Sequence, residues 1–318
     1  MNVLWIRYGA FGDVLEAIAC ARIFKRKFPE AELTMLSRPE YKRIIAAQDV
    51  FKDCMFWDSK RDPAGFFNAV RDVRKRKFDM LVSVHNAASA ALVSFASGIP
   101  ERYGASALLQ FCYDKNVWDW FAEVGIDEKL RDVPMIQADD ESMKFADALL
   151  SGLPEKRVFC IIGASKAPKL WSIEYWVKFV NYLASEGWGL VINGHGKEEA
   201  KNAEFIMKET DCENVLNFVN KIDFLEMAAV AKKCTAAVGP DTGPLHVAAL
   251  SGTPTLGFFG CTSSKKLGFH MPWFREISSS CPDIGCRNYK CPQGDKCLSN
   301  VTPEIALEEF KKMVGNLG

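Results

Sequence analysis

The sequence lacks an excess of charge of either sign. Its 318 residues include 40 Lys and Arg and 40 Asp and Glu, so the formal net charge is zero. A protein dedicated to binding DNA or RNA usually carries a positive field, although local basic patches can exist within a neutral total. The balance therefore disfavours a nucleic-acid-binding protein.

Long apolar runs, a secretion signal and internal repeats are also missing. No stretch reaches the roughly 20 apolar residues that cross a bilayer. In the opening MNVLWIRYGAFGDVLEAI, Asp13 and Glu16 interrupt the apolar run and no small-residue cleavage site follows a positive segment. The 11 cysteines, several in apolar segments such as VFCII, favour reduced thiols over a disulfide framework. We therefore expect a cytoplasmic protein.

What the sequence does contain is a regular alternation of apolar strands and amphipathic helices. Strands such as NVLWIR, AELTMLS, FKDCMFW and FDMLVSV alternate with helical patterns, and after the polar stretch IQADDESMKFADALLSGLPEKR the alternation restarts at VFCIIGAS. This pattern predicts an α/β fold of two doubly wound, Rossmann-like domains with largely parallel sheets, at 1–152 and 153–318. The final helix, TPEIALEEFKKMVG, is predicted to start with Thr302 as N-cap and Pro303 at its first position. It is a candidate for packing back on the first domain.

Two glycine-rich turns follow strands of this pattern. YGAFGD follows the first strand of the first domain, and GPDTGPLH follows a late strand of the second. Ligands of open parallel sheets bind beyond the carboxyl ends of the strands, where helix N-termini present free amides to anions such as phosphates. We therefore expect a ligand at each turn, in a cleft between two facing domains.

Four segments resemble glycosyltransferase family nine, the bacterial heptosyltransferases. They are IRYGAFGDVLEAIACARIFKRKFPEAELTML, GASKAPKLWSIEYW, GPDTGPLHVAALSGTPTLGFFGCT and CPQGDKCLSNVTPEIALEEF, in the family's order and over nearly the whole chain. The resemblance implies a GT-B fold, with an acceptor on the N-terminal half and a nucleotide-activated heptose, usually ADP-heptose, on the C-terminal half. It also implies inverting transfer without a catalytic metal or other cofactor, onto lipopolysaccharide inner core or a related surface glycan at the cytosolic leaflet.

The resemblance assigns the catalytic base to Asp13, which follows Gly12 at the strand-to-helix turn. From the residues alone, the more common role for Asp13 is an N-cap carboxylate that accepts hydrogen bonds from the first helical amides. Gly9 and Gly12 are expected to let the backbone approach the acceptor closely, or else to serve as ordinary turn glycines.

The resemblance also assigns a set of donor-binding residues in the second domain. Lys169 would pair with the donor phosphates, Asp241 would hold hydroxyls of the transferred sugar, and His246 would face the same pocket. Hydroxyls or amides would come from Ser165, Thr242, Gly243, Gly260 and Thr262, and the nucleoside ribose would contact Glu198 or Glu199. Ala164, Ala167 and Pro168 are apolar where relatives often carry polar residues, which puts hydroxyl contacts from that loop in doubt.

These donor residues also have ordinary structural interpretations, and Gly260 and Thr262 would belong to an ordinary turn. Lys169 would be a solvated lysine, Asp241 a helix cap and His246 a core histidine. Glu198 and Glu199 would be solvated acids at a helix start.

On the acceptor side, Lys60, Arg61 and the segment RDVRKRK are candidates for contact with an anionic core sugar or with lipid phosphates. A helix with a solvated basic face explains the same run. Cys281, Cys286, Cys291 and Cys297 are evenly spaced, but these spacings are looser than the C-x-x-C pairs of most structural zinc sites, so no metal is expected.

Rival functions remain open at this point. They are a sugar-nucleotide epimerase on the same scaffold and a non-catalytic nucleotide-sugar-binding protein. A dinucleotide oxidoreductase is disfavoured because YGAFGD lacks the full spaced-glycine fingerprint.

Overall fold

A computed structural model describes most of the chain. The described residues are 1–58, 60–127, 129–210, 212–264, 271–291 and 297–315. They divide into two compact units, Met1–Leu130 and Arg131–Gly318. Within the described residues, no helix combines the length and the apolar character that crossing a bilayer requires.

The first unit is a five-stranded parallel sheet with helices on its faces. The strand order is β3-β2-β1-β4-β5, and every pairing is parallel. Its elements are β1 (Asn2–Ile6), α1 (Phe11–Lys27), β2 (Glu32–Ser37), α2 (Lys42–Ala46), β3 (Phe51–Phe56), α3 (Phe66–Lys75), β4 (Met80–Ser83), α4 (Ala88–Ser97), β5 (Glu101–Gly104) and α5 (Val117–Glu123).

The second unit repeats this architecture with six parallel strands. The order is β11-β10-β9-β6-β7-β8. Its elements are α6 (Asp140–Leu150), β6 (Arg157–Ile161), α7 (Ile173–Ser185), β7 (Gly189–Asn193), α8 (Lys197–Glu209), β8 (Val215–Asn217), α9 (Phe224–Lys232), β9 (Ala236–Pro240), α10 (Gly243–Leu250), β10 (Thr255–Phe259), β11 (Phe274–Ser278) and α11 (Pro303–Gly315).

The central strands are continuous apolar runs because both faces of each sheet are covered by helices. All five residues of β9 and of β10 are buried, as are four of the five in β6. The core of the second unit lies between its sheet and α7, where Trp171 and Trp176 pack with Phe179. Trp171 also donates its indole N–H to the carbonyl of Val301 at 2.6 Å, which ties the segment before α11 to the core.

The division between the units falls after Leu130, ahead of the boundary predicted after Gly152. The polar stretch that precedes VFCIIGAS contains α6, and α6 packs on α9 of the second unit, with Lys233 Nζ 2.7 Å from Asp147 Oδ1. The amides of Met135 and Ile136 also donate to the carbonyl of Leu250. These contacts draw the segment from Arg131 onward into the second unit.

The last helix begins at Pro303, as its sequence predicted. The Thr302 hydroxyl accepts from the amide of Ile305 at 3.5 Å, and the Thr302 carbonyl accepts from the amide of Ala306. Phe310 is buried against Phe179. The helix therefore contributes to the core of the second unit.

Candidate functional site

Each sheet contains one point where the chain reverses its direction of progress across the strands. In the first unit the chain runs outward from β1 to β3 and then returns to add β4 on the other side of β1. In the second unit the same reversal separates β6 from β9. Loops that leave the carboxyl ends of two such strands diverge to opposite faces and open a crevice. Both glycine-rich turns lie at these two points.

At the first crevice, the turn after β1 is shaped by Gly9. Its φ of +117° is a conformation that side chains with a Cβ rarely adopt. The Gly9 carbonyl accepts a hydrogen bond from the Tyr41 hydroxyl at 3.0 Å and another from Arg38. A Cβ at this position would lie 3.1 Å from Asp13 Oδ2 and 3.5 Å from His85 Cε1. The turn therefore needs glycine and brings Asp13 and His85 close together.

Asp13 is not the N-cap of α1. The cap position is Ala10, which makes no side-chain cap hydrogen bond, and Asp13 is the third helical residue, one after Gly12. The N-cap interpretation is therefore wrong, because the helix starts earlier than the sequence pattern indicates. A carboxylate in the first turn still interacts favourably with the helix dipole.

The partner of Asp13 is Arg7, at the end of β1. Arg7 Nη2 lies 3.0 Å from Asp13 Oδ1, and Nη1 donates to the carbonyl of Val84. The Asp13 side chain remains 48% exposed. Burial, and then the nearby charge of Arg7, lower the pKa of His85 from 6.5 to about 4, so its ring is neutral at pH 7. The crevice thus offers an accessible carboxylate, held by a guanidinium beside a neutral imidazole.

Lys60 and Arg61 follow β3 and are exposed. Their amides donate to Asp58 Oδ1, which closes the turn, and the Arg61 guanidinium lies 3.6 Å from carboxylate oxygens of both Asp58 and Glu40. Arg38, which donates to the Gly9 carbonyl, is 3.4 Å from Asp58. This network connects the basic loop to the Asp13 turn within the first unit.

At the second crevice, Lys169 and Asp241 come together from loops 72 residues apart in the chain. Lys169 Nζ lies 2.5 Å from Asp241 Oδ2 and 3.1 Å from the Asp241 carbonyl. His246, one turn into α10, places Nε2 3.6 Å from Asp241 Oδ1. Asp241 is therefore not a helix cap, since the cap position is Thr242 and carries no side-chain cap bond.

This group is a compact charged site in a buried setting. Burial raises the pKa of Asp241, but the hydrogen bond from His246 and the charge of Lys169 outweigh it and lower the pKa to about 2. Gly243 starts α10 and Pro244 follows at a position where its missing N–H costs little. A fixed carboxylate, a lysine and a helix N-terminus together suit a ligand with both hydroxyls and phosphates.

Gly260 and Thr262 lie on the neighbouring loop after β10. A Cβ on Gly260 would come 2.5 Å from Cys297 Sγ, so glycine is required by close packing. Thr262 is buried, and within the described residues its hydroxyl has no hydrogen-bond partner. Ser165 is exposed on the loop after β6. The Thr262 hydroxyl is thus a buried group without a partner among the described residues, whereas the Ser165 side chain is open to solvent.

The two candidate acids at the start of α8 are placed differently. The Glu198 side chain is 80% exposed and pairs with Lys201, whereas the Glu199 carboxylate occupies space that Gly163 and Gly194 leave between the ends of β6 and β7. Burial raises the pKa of Glu199, although the amide of His195 donates to it. The structure therefore favours Glu199 over Glu198 as a ligand-binding acid.

Arg7 and His85 are site residues that the sequence analysis did not select. Each follows a strand, in WIR and in SVH, and β1 pairs with β4 so that Ile6 lies opposite Ser83. Polar residues directly after two buried strands were the available signal. That signal becomes specific only once the two strands are known to be neighbours.

The evenly spaced cysteines lie close to the Gly260 loop. Burial raises the pKa of Cys297, and Cys281, Cys286 and Cys291 are near enough to raise it further. The 11 cysteines, all of which lie in the described ranges, form no disulfide bond there. In the part of the chain that the structure describes, no group of three or more His, Cys, Asp or Glu is arranged to hold a metal ion.

One family model matches most of the chain. The model of glycosyltransferase family 9 (heptosyltransferase) matches residues 66–296. A lipooligosaccharide heptosyltransferase 2 from Haemophilus influenzae is 22% identical over 354 residues, covering 99% of each chain.

Two solved structures share the fold over nearly the full length. A family 9 glycosyl transferase from Veillonella parvula superposes with a TM-score of 0.85 at 15% identity, covering 99% of this chain and 97% of that one. The Escherichia coli ADP-heptose lipopolysaccharide heptosyltransferase II gives 0.80 at 17% identity, covering 99% of each. These matches confirm the predicted GT-B type of α/β fold.

Proposed function

The chain belongs to glycosyltransferase family 9, the heptosyltransferases, and from this premise we propose that it transfers heptose from ADP-heptose to a sugar of lipopolysaccharide inner core or a related surface glycan. Support for the donor comes from the E. coli structure named for ADP-heptose. Support for the acceptor comes from the relative named a lipooligosaccharide heptosyltransferase. The residues of the two crevices are consistent with these substrates.

The donor would bind the second unit. The Lys169 ammonium, the N-terminus of α10 and the Thr262 hydroxyl would hold the diphosphate, with Ser165, Thr242, Gly243 and Gly260 alongside. Asp241, kept ionised by its low pKa, would accept hydrogen bonds from sugar hydroxyls while it orients Lys169. The carboxylate of Glu199 would accept from the ribose hydroxyls, because it lies at the end of β7 where a nucleoside reaches in doubly wound folds.

The chemistry would be one displacement at the anomeric carbon. Asp13 would accept the proton of the acceptor hydroxyl while that oxygen forms a bond to the anomeric carbon. The bond from this carbon to the diphosphate breaks, its electron pair leaves on the phosphate oxygen, and the configuration inverts. Lys169 and the α10 dipole would stabilise the charge that develops there. Arg7 would orient the Asp13 carboxylate, and His85 would remain neutral beside it.

The acceptor would bind the first unit. Gly9 and Gly12 would allow close approach to Asp13, and the exposed Lys60 and Arg61 would attract anionic groups of a core sugar. A glycolipid acceptor would be reached at the cytosolic face of the inner membrane, so we expect a cytoplasmic enzyme with peripheral membrane association.

One observation carries the proposal more than any other. Lys169, Asp241 and His246 converge at the reversal point of the second sheet, beside the N-terminus of α10. This is where a nucleotide-linked ligand binds in such folds, and the three side chains match a sugar diphosphate in charge and hydrogen bonding.

A donor screen by mass spectrometry tests the proposal directly. ADP-heptose, UDP-sugars and GDP-mannose are each offered with truncated core oligosaccharides. We expect a product heavier than the acceptor by one heptosyl residue, that is, heptose less one water, and we expect it with ADP-heptose only. A donor that changes without any acceptor would instead indicate an epimerase, and donor binding without turnover would indicate a non-catalytic binding protein.

Calorimetry with a chelator tests whether the donor site needs a divalent cation. We expect ADP to bind with unchanged affinity, because Lys169 and α10 supply positive charge. Binding that disappears with chelator and returns with magnesium would refute this part of the proposal.

A further inference from the structure

An exposed apolar surface lies on α4 and on the segment that follows β5 in the first unit. We name it the apolar patch, and it consists of Leu92, Phe95, Leu108 and Phe111. Their exposed fractions are 45%, 62%, 87% and 70%. Leu92 and Phe95 lie one turn apart on α4, and the segment with Phe111 packs against α4, with the two Phe ring centroids 6.3 Å apart.

A strongly basic helix borders this patch. Residues 66–77, which form α3 and the turn after it, contain five basic residues and only one acidic residue. Arg74 reaches across and donates from Nε to the carbonyl of Ala96 at 2.8 Å, which places its guanidinium next to the patch. Arg71 and Lys75 are 61% and 68% exposed, and the one acid, Asp72, lies only 3.6–4.0 Å from them.

A solvated helix accounts for the basic residues but not for the aromatic ones. Soluble surfaces rarely expose several large apolar side chains side by side, and such a group normally marks an interaction site. Exposed Phe and Leu next to Lys and Arg are the combination by which peripheral proteins bind an anionic bilayer, where the rings enter the interface and the cations meet lipid phosphates.

Charge complementarity favours a bilayer over a second copy of this chain. In a two-fold dimer formed through this face, the basic helix α3 of one protomer would lie close to α3 of its partner, because such an interface uses the same surface of both protomers. Like charges brought together oppose association, whereas an anionic membrane neutralises them.

The patch is also connected to the candidate acceptor site. The helices that present it begin directly after loops of that site: α3 follows the loop with Lys60 and Arg61, and α4 follows the loop with His85. Docking through α3 and α4 would therefore hold the acceptor loops at a fixed orientation to the lipid surface.

From these observations we propose that the first unit binds the surface of an anionic phospholipid bilayer through the apolar patch and the basic residues of α3. The inference rests on the proposed lipid-linked acceptor, but vesicles without acceptor test it separately. Purified protein is floated with vesicles of phosphatidylcholine alone and with vesicles that also contain phosphatidylglycerol.

We expect binding to the anionic vesicles only, and weaker binding at higher salt. Arg71→Gln with Lys75→Gln should weaken it about twenty-five-fold, at about fivefold per basic residue. Phe95→Ser with Phe111→Ser should weaken it about tenfold or more through lost apolar contact. Matched controls on α8 of the second unit, Phe205→Ser and Lys201→Gln with Lys208→Gln, should stay within about twofold.

Three results would overturn the proposal: equal binding by the patch variants and the controls, equal binding to neutral vesicles, or self-association that the Phe95→Ser, Phe111→Ser variant abolishes. Unchanged melting curves and ADP affinity show that each variant is folded. Vesicle binding without heptose transfer would refute the proposed function alone, and transfer without vesicle binding would refute this inference alone.

Discussion

Replacing Asp13 by Asn is the most informative single change, because it removes a base while nearly preserving shape. Asn can keep a hydrogen bond to Arg7, but it cannot accept a proton from a hydroxyl at neutral pH. A positioned general base contributes about 10²–10⁴-fold to rate. We therefore expect kcat to fall by about that factor. Donor affinity should change little, because the proposed donor residues lie in the second unit.

A purely structural role for Asp13 predicts a different and much smaller effect. The ion pair with Arg7 has a half-exposed carboxylate, and such pairs contribute about 0–1 kcal/mol. Loss of a first-turn charge on α1 adds about 0.3–1 kcal/mol. At about 2–4 °C per kcal/mol, the melting temperature would fall by a few degrees and kcat would remain near that of the wild type.

The assay measures kcat, ADP-heptose affinity and melting temperature for Asp13→Asn beside a matched control. Asp49→Asn is suitable, because Asp49 Oδ1 lies 2.7 Å from Arg22 Nη2 in a similarly half-exposed pair, also in the first unit. The control should lose stability but not kcat. If Asp13→Asn turns over at near-normal kcat, the reasoning that assigns it as the base is refuted.

Three further predictions concern the remaining site residues. Lys169→Met should weaken ADP binding by about ten- to a hundredfold, because a charge-assisted contact is lost. Lys166→Met should change ADP binding little, because Lys166 shares only the contact with the Tyr289 ring. Equal effects of the two variants in calorimetry would count against Lys169. Glu199→Gln should weaken ADP binding about tenfold and Glu198→Gln should not, and the reverse order would contradict the assignment. His85 has a folded pKa of about 4 against an ordinary 6.5, so the unfolded chain takes up its proton first as the pH falls. The contribution of His85 to the free energy of unfolding is therefore fully present above pH 6.5, and it declines by on the order of 3 kcal/mol as the pH falls towards 4. His85→Gln should flatten that part of the stability curve in urea unfolding, and an unchanged slope would show that other groups cause it.

The elements that the sequence predicted correctly are those that depend on local pattern. Buried parallel strands are continuous apolar runs, and β6 and β9 were recognisable for that reason. The start of α11 was predicted because Thr302 and Pro303 carry the N-terminal signal themselves. The edge strands β5 and β11 were missed, since ERYG and FREIS are half-exposed and carry charged residues. Helix α6 was not among the predicted elements, because polar residues dominate its composition.

By itself, the sequence determined the α/β class, the glycine turns and the residues that the family resemblance assigns, because each is written in a short stretch of chain. Only the tertiary structure decided which of those residues meet. Strand pairing brings Arg7 to the Val84 carbonyl across 77 positions, and β6 beside β9 brings Lys169 to Asp241 across 72. The tertiary structure also distinguished the two acids at the start of α8. Glu199 fills the space that Gly163 and Gly194 leave open, and this space exists only once β6 and β7 are paired. Contacts between distant segments depend on strand order, and no local pattern encodes that order.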